Sequence, residues 1–207
     1  MKIKETARIE TFSDGVFAIA ITLLILEIKV PEISSFHSKN DLWHELSKLW
    51  PSYLAFFLSF GFILVAWICH HALFNLIDKV SPSFIYANGF LLLNIVFLPF
   101  PTSTLAKYII STYTQSSVVF YLSCFLVTGI GWNLLYYFSL KPVPLVRERI
   151  FIEAVKNMRK NAKIGLILNI AVTVLAWWFP LIAITINAIL WLFWIYISAK
   201  MLRINAN

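Results

Sequence analysis

Few residues in this chain have the chemistry to act. Asp14 and Glu27 sit in a first apolar segment, Cys69, His70 and His71 towards the end of a second, and Cys124 in a fourth. An acid inside a membrane-length apolar stretch is costly to place in lipid and faces protein or water instead. Asp14, Glu27 and a histidine are therefore the groups from which a proton relay could be built. Asp14 paired with one histidine could equally lock the first two helices together, because an unpaired buried carboxylate is expensive. Adjacent histidines point about 100° apart on a helix, so one at most meets Asp14. The plainer arrangement puts one histidine in a bundle hydrogen bond and the other at the interface. Enzyme chemistry is not encoded: there is no pair of acids at catalytic spacing, no HExxH and no glycine-rich phosphate loop, and nothing marks a nucleophile elbow. Cys69 and Cys124, on separate helices, form no metal-ligand cluster and read as small apolar residues. No cofactor is expected.

The elements that must position these residues are membrane helices. Of 207 residues, 60% are hydrophobic and 13% charged, against about 25% charged in a soluble domain. A spanning helix needs roughly 20 mostly apolar residues. Six segments meet that need, near 9–29, 52–76, 84–108, 116–140, 163–180 and 181–200. They predict an all-α integral membrane protein forming one domain over 1–207. The first segment is too long for a signal-peptide core and lacks a small-residue cleavage site. Six spans put both termini on one side with the 2–3 and 4–5 connections. All 17 lysines and arginines except Lys29, Lys39, Lys48 and Lys107 fall on that side, which makes it cytoplasmic. This asymmetry accounts for the net charge of +7 without nucleic acid. The lipid bilayer is the expected partner and the cell membrane, plasma or inner, the expected location.

On the first helix, Ile19, Leu23 and Leu26 fall within roughly 60° of one another. Phe12 and Gly15 share their stripe, Thr22 lies at its edge, and Asp14 points to the far side. In the first outer connection, Leu42, Leu46 and Leu49 recur at helical spacing beside Trp43 and Trp50. They predict a short interfacial helix capped by Asn40, with His37 and His44 solvated. In the third span, Asn94 is expected to bond between helices, and Pro99 and Pro101 to kink or end the helix. The run Val127-Thr128-Gly129-Ile130-Gly131 has the Gly-x-Gly spacing of the potassium filter TVGYG. That filter is a re-entrant loop behind a pore helix, whereas this run lies inside one uninterrupted apolar segment with its threonine displaced by one. Small residues allowing close helix packing explain it better. In the 4–5 connection, Pro142 and Pro144 end the fourth helix. Val146, Ile150, Ala154 and Met158 then form a stripe that fits either an amphipathic surface helix or the extended start of span five. Phe179-Pro180 makes a tight hairpin into the last span.

Arg8, Phe12, Ser13 and Asp14 form an RxxxFSD pattern, continued by GVFAIAITLLILEI. With Trp67, His70 and His71 as WxxHH, and with the FLPFPT turn, the chain resembles the transmembrane-protein-175 family of potassium channels in its prokaryotic single-repeat form. The resemblance implies a homotetramer in which helix one of each copy lines a central pore. It implies a potassium-preferring cation channel that conducts passively and has no TVGYG filter. By the resemblance, Ile19, Leu23 and Leu26 are the hydrophobic constrictions. Thr22 is the polar position linked to potassium preference, and Ala18 stands where some members carry a small polar residue. Arg8, Phe12, Ser13 and Asp14 then hold helix one against its neighbours. Arg8 and Asp14, about 120° apart, do not pair with each other, and Asp78 is a candidate partner for Arg8. Two other readings are a proton-coupled transporter using an Asp14–histidine relay and a non-conducting membrane scaffold.

Overall fold

Lipid offers backbone N–H and C=O groups no partner, so apolar segments satisfy them internally as helices. The computed structural model describes residues 6–32 and 41–205. Among them the helices run α1 Ala7–Leu23, α2 Asp41–Lys48, α3 Trp50–Leu76, α4 Pro82–Phe97, α5 Pro99–Tyr108, α6 Thr114–Leu140, α7 Phe151–Leu175 and α8 Pro180–Asn205. The protein is an all-helical membrane protein. Four stretches are long and apolar enough to cross a bilayer: Ala7–Glu27, Trp50–Leu76, Pro82–Tyr108 and Thr114–Leu140. Pro180–Leu192 adds a shorter apolar helix.

Proline sets several helix boundaries. Pro51 and Pro82 sit at helix starts, where their missing N–H would have no intrahelical partner anyway. Ser81 caps α4 by accepting from the Phe84 N–H at 3.3 Å. Pro99 divides α4 from α5, yet Leu98 between them keeps helical angles. The prolines thus kink the third span rather than end it. The Leu98 N–H bonds to the Ile95 carbonyl at 3.3 Å, the tighter i→i+3 pattern. After Pro144 the chain is non-helical over 145–150, and α7 then runs as one continuous helix from Phe151 to Leu175 with no separate surface helix before it. The expected stripe is only partly its buried side. Val155 and Met158 are buried, whereas Ile150 is 75% exposed and precedes the helix. Val146 instead forms an isolated antiparallel bridge with Ile77, and the Arg147 N–H bonds to the Leu76 carbonyl at 2.9 Å. The connection after α3 is therefore clasped to the connection after α6. The short helix α2 is present as expected; Asn40 and His37 lie outside the described residues.

Two apolar clusters fill the bundle. One gathers Phe17, Leu24, Ile63, Tyr121 and Phe125, and the other Leu73, Phe74, Phe84, Leu91 and Val155. Helix α1 lies against α3 and α4 on one side only. That position sets up the site.

Candidate functional site

Helix α1 has two unlike faces. Ser13, Phe17, Ala20 and Leu24 are buried against α3 and α4. Turned away from them, Phe12 is 65% exposed, Ile19 61%, Leu23 41% and Leu26 60%, with Gly15, Ala18 and Thr22 in the same exposed stripe. The helix tightens to a 3-10 turn over Leu24–Glu27. In that geometry residues three apart eclipse, so Leu26 is brought above Leu23 more directly than an α-helical wheel predicts. Thr22 donates its hydroxyl to its own helix, with the Ala18 and Ile19 carbonyls both at 2.9 Å. Its oxygen lone pairs stay available on the exposed side.

The buried face is fixed by a hydrogen-bond chain whose direction can be read from its end. Ser13 Oγ donates to the Ile9 carbonyl at 2.8 Å and so accepts from Asn88 Nδ2 at 3.0 Å. Asn88 then presents its oxygen to His70 Nε2 at 2.9 Å, which makes Nε2 the donor. The His70 ring is fully buried, stacked on Phe74 at 4.2 Å and edge-on to Phe17 at 5.3 Å. Three helices, α1, α4 and α3, are joined by this chain.

Beside it runs a second seam. Asp14 Oδ1 accepts from the Trp67 indole N–H at 2.9 Å, and one turn away His71 Nδ1 lies 3.7 Å from Glu10 Oε1. The expected Asp14–histidine contact is therefore not made by either histidine. Helices α1 and α3 are antiparallel, so a step of four up α1, from Glu10 to Asp14, matches a step of four back along α3, from His71 to Trp67. That register sets Trp67 opposite Asp14 and places His71 one turn away, opposite Glu10. The plainer arrangement is the observed one, with His70 bonded in the bundle and His71 half-exposed. Arg8 is exposed and forms no ion pair among the described residues, so the Asp78 pairing is not seen either.

Asn88 and Glu10 were missed as site residues. Asn88 had a signal: Ser13, Asn88 and His70 are each the seventh residue from the Ala7, Pro82 and Leu76 ends of their helices. Three polar side chains at one depth on three neighbouring helices are candidates for one network.

A solved crystal structure of a lysosomal potassium-selective channel TMEM175 homolog from Chamaesiphon minutus superposes with a TM-score of 0.84 at 36% identity, covering 95% of this chain and 99% of that one. The chain belongs to the TMEM175 family. The family model described as endosomal/lysosomal potassium channel TMEM175 matches residues 8–99, which hold the whole of the α1 site and its α3 and α4 partners. Among curated relatives, a potassium channel of Chamaesiphon minutus is 49% identical over 132 residues, 64% of each chain. One of Streptomyces collinus is 44% identical over 107 residues, 52% of this chain and 50% of the relative. These matches span half to just under two thirds of the relatives' length.

In this TMEM175-family chain the Val127–Gly131 run packs helices. It lies inside α6, where a Cβ on Gly129 would come within 3.2 Å of Leu166 Cδ1 and one on Gly131 within 3.3 Å of Leu91 Cα. Glycine is what lets α7 and α4 approach. Asn94 departs from expectation by bonding within its own helix, to the Phe90 carbonyl at 2.7 Å. Among the described residues no group of three His, Cys, Asp or Glu side chains could hold a metal, and Cys69 and Cys124 are free thiols.

Proposed function

We propose that the protein is a potassium-preferring cation channel, conducting passively through a pore lined by α1 from each of four identical chains. In this reading the whole of 1–207 is one six-span unit in the cell membrane with both termini cytoplasmic, and α7 and α8 supply the last two spans. The observation that carries the reading is the uncovered face of α1. A helix near the N-terminus is gripped on one side by a buried polar chain and a seam of two further pairs, while the other side presents Phe12, Ile19, Leu23 and Leu26 uncovered by any of the described residues. Four such faces around an axis would set aliphatic rings at Ile19, Leu23 and Leu26. A ring narrow enough to exclude water opposes ion passage, so closure by dewetting needs no moving plug. Thr22, with its hydrogen already given to the helix, would offer a ring of oxygen acceptors beside those constrictions. Ser13 and Asp14, with Trp67, His70 and His71, hold the gripped side and so set the helix rotation on which the rings depend. Phe12 lies on the uncovered face and Arg8 is exposed, so these two expected packing residues stand outside the grip. The names of the Chamaesiphon and Streptomyces relatives support potassium as the permeant ion.

A proton relay from Asp14 to a histidine gains no support from the geometry. The indole between Asp14 and the histidines is a donor only and does not pass a proton on. The deciding experiment is flux from liposomes containing the purified protein, with potassium and sodium gradients compared. Potassium flux exceeding sodium flux, without stoichiometric proton movement, is the expected result. No flux from properly assembled protein would leave the scaffold reading, and obligatory proton coupling the transporter reading.

A further inference from the structure

Away from α1, a cavity of about 120 Å³ lies between α3, α6, α7 and α8. Its walls are aromatic and already locked. Phe62 meets Phe125 at 4.5 Å and Trp191 at 4.6 Å, both edge-on, and Trp132 stacks on Tyr136 at 5.5 Å. Gly165 lets the Trp194 ring close one wall against α7: a Cβ there would come within 3.2 Å of that ring. No charged residue lines it.

The walls nevertheless hold polar groups with no partner. Tyr136 is only 5% exposed and lines the cavity, yet its hydroxyl makes no hydrogen bond among the described residues. The Trp132 indole N–H and the carboxamides of Asn161 and Asn169, on the same walls, are likewise unpartnered. Asn161, Gly165 and Asn169 are spaced by four along α7, so the two amides flank the point where the Trp194 ring meets that helix. None of these polar atoms is sealed off, so a ligand that enters the cavity can reach and satisfy them. An apolar cavity of about 150 Å³ accommodates a benzene ring. Here the size is similar, the walls are π-faces, and donors and acceptors stand at the rim.

We infer that this cavity is a binding site, separate from the α1 face, for a small uncharged ligand with a single aromatic ring and a hydroxyl group. The ring would pack against Phe62, Phe125 and Trp191, and the hydroxyl would bond to Tyr136 and Asn161. A cation is disfavoured, because nothing anionic faces the space.

The test uses 4-bromophenol, whose bromine quenches nearby tryptophan fluorescence, added to the full-length protein in phosphatidylcholine–phosphatidylglycerol liposomes. Saturable quenching at one phenol per chain is expected. In the Tyr136→Phe and Asn161→Leu double variant, the apparent affinity should fall about tenfold, from the loss of two hydrogen bonds. A ligand-side control needs no variant that could misfold: 4-bromoanisole keeps the ring, lacks the donor hydrogen and should bind wild-type protein about fivefold more weakly. Quenching that rises linearly with membrane phenol, equal for both ligands and both proteins, would overturn the site. So would dibrominated phosphatidylcholine that quenches the wild-type protein and blocks the phenol, which would mean that a lipid chain fills the space. Because the readout is binding, it stands whether or not the protein conducts.

Discussion

Two buried hydrogen-bond chains in this molecule are built alike and do different things. In the first, His70 donates to Asn88, Asn88 to Ser13, and Ser13 to the Ile9 carbonyl. In the second, Thr102 donates to the Leu98 carbonyl at 2.8 Å, so Ser59 donates to Thr102 at 2.7 Å and the Tyr121 hydroxyl donates to Ser59 at 3.0 Å. Each chain links three helices and ends on a carbonyl one turn back in its last helix. Only the first includes α1. The second ties α3, α5 and α6 together just beyond the proline kink, where the ladder is already thinned by missing N–H groups. One network therefore sets the pose of the helix with the uncovered face, and the other stiffens the frame against which that helix is posed.

The contrast can be broken most severely at Asn88. Asn88→Leu strands the His70 imidazole with neither nitrogen bonded and leaves Ser13 only its Ile9 carbonyl. The expected loss is about 2 kcal/mol of stability, with altered conduction in any protein that still assembles. Unfolding in detergent followed by helix signal, alongside liposome flux, measures both; a variant with native stability and native flux would remove the network from the account. Ser59→Ala should cost less, about 1 kcal/mol, because it strands a single hydroxyl, that of Tyr121, rather than a whole imidazole, while Thr102 keeps its carbonyl as Ser13 does. Its flux per assembled protein should stay at the wild-type level, and a changed ion preference would erase the distinction between the two chains.

Asp14→Asn keeps an acceptor for Trp67 and loses the charge that strengthens the bond. A loss under about 1 kcal/mol is expected, seen as a weaker oligomer on size-exclusion chromatography and little change in ion preference. Ile19→Asn, on the uncovered face, should alter stability by no more than about 0.5 kcal/mol while raising basal current severalfold, by making an aliphatic ring wettable. Leu26→Asn should do the same more weakly. If current per assembled protein is unchanged in Ile19→Asn, α1 is not the gate. The smallest structural effect belongs to Thr22→Val, which keeps shape and removes one hydroxyl. Reversal potentials in mixed potassium and sodium should then shift towards equal preference, and identical potentials would exclude Thr22 from selectivity.

Much of this was legible beforehand, and the misses share a cause. Apolar length located the first four long stretches to within a few residues, and the helical wheel grouped Ile19 with Leu23, because both features depend on one segment at a time. Length did not locate α7, which begins at Phe151, twelve residues before the expected 163, because its first turns are too charged to read as a span. The glycine run in α6 was correctly taken for packing, since it lay inside an unbroken apolar stretch. Partners were harder, because contact between helices depends on rotation as well as depth. The cost of an unpaired acid pointed Asp14 to a histidine, but the antiparallel pairing set Trp67 there and gave His71 to Glu10. Asn94 was assigned a neighbour and instead satisfied its own helix, a choice that periodicity cannot reveal. The 3-10 turn at Leu24–Glu27 has no marker residue, and it moved Leu26 relative to the wheel.

The way Thr22 spends its hydrogen bears on how the protein is made. Thr11, Thr22, Thr104 and Thr185 are all exposed, and each gives its hydroxyl hydrogen to the carbonyl four residues back, at 2.8 to 3.0 Å. Hydrocarbon offers such a donor nothing. A newly synthesised chain that has not met its copies therefore shows the bilayer methyl groups and no bare O–H on these surfaces. It can diffuse in the membrane as a monomer without a penalty that would push it towards aggregation or degradation. In the proposed tetramer, encounter between copies would then be free to be slow, and low expression would not by itself doom the unassembled subunit.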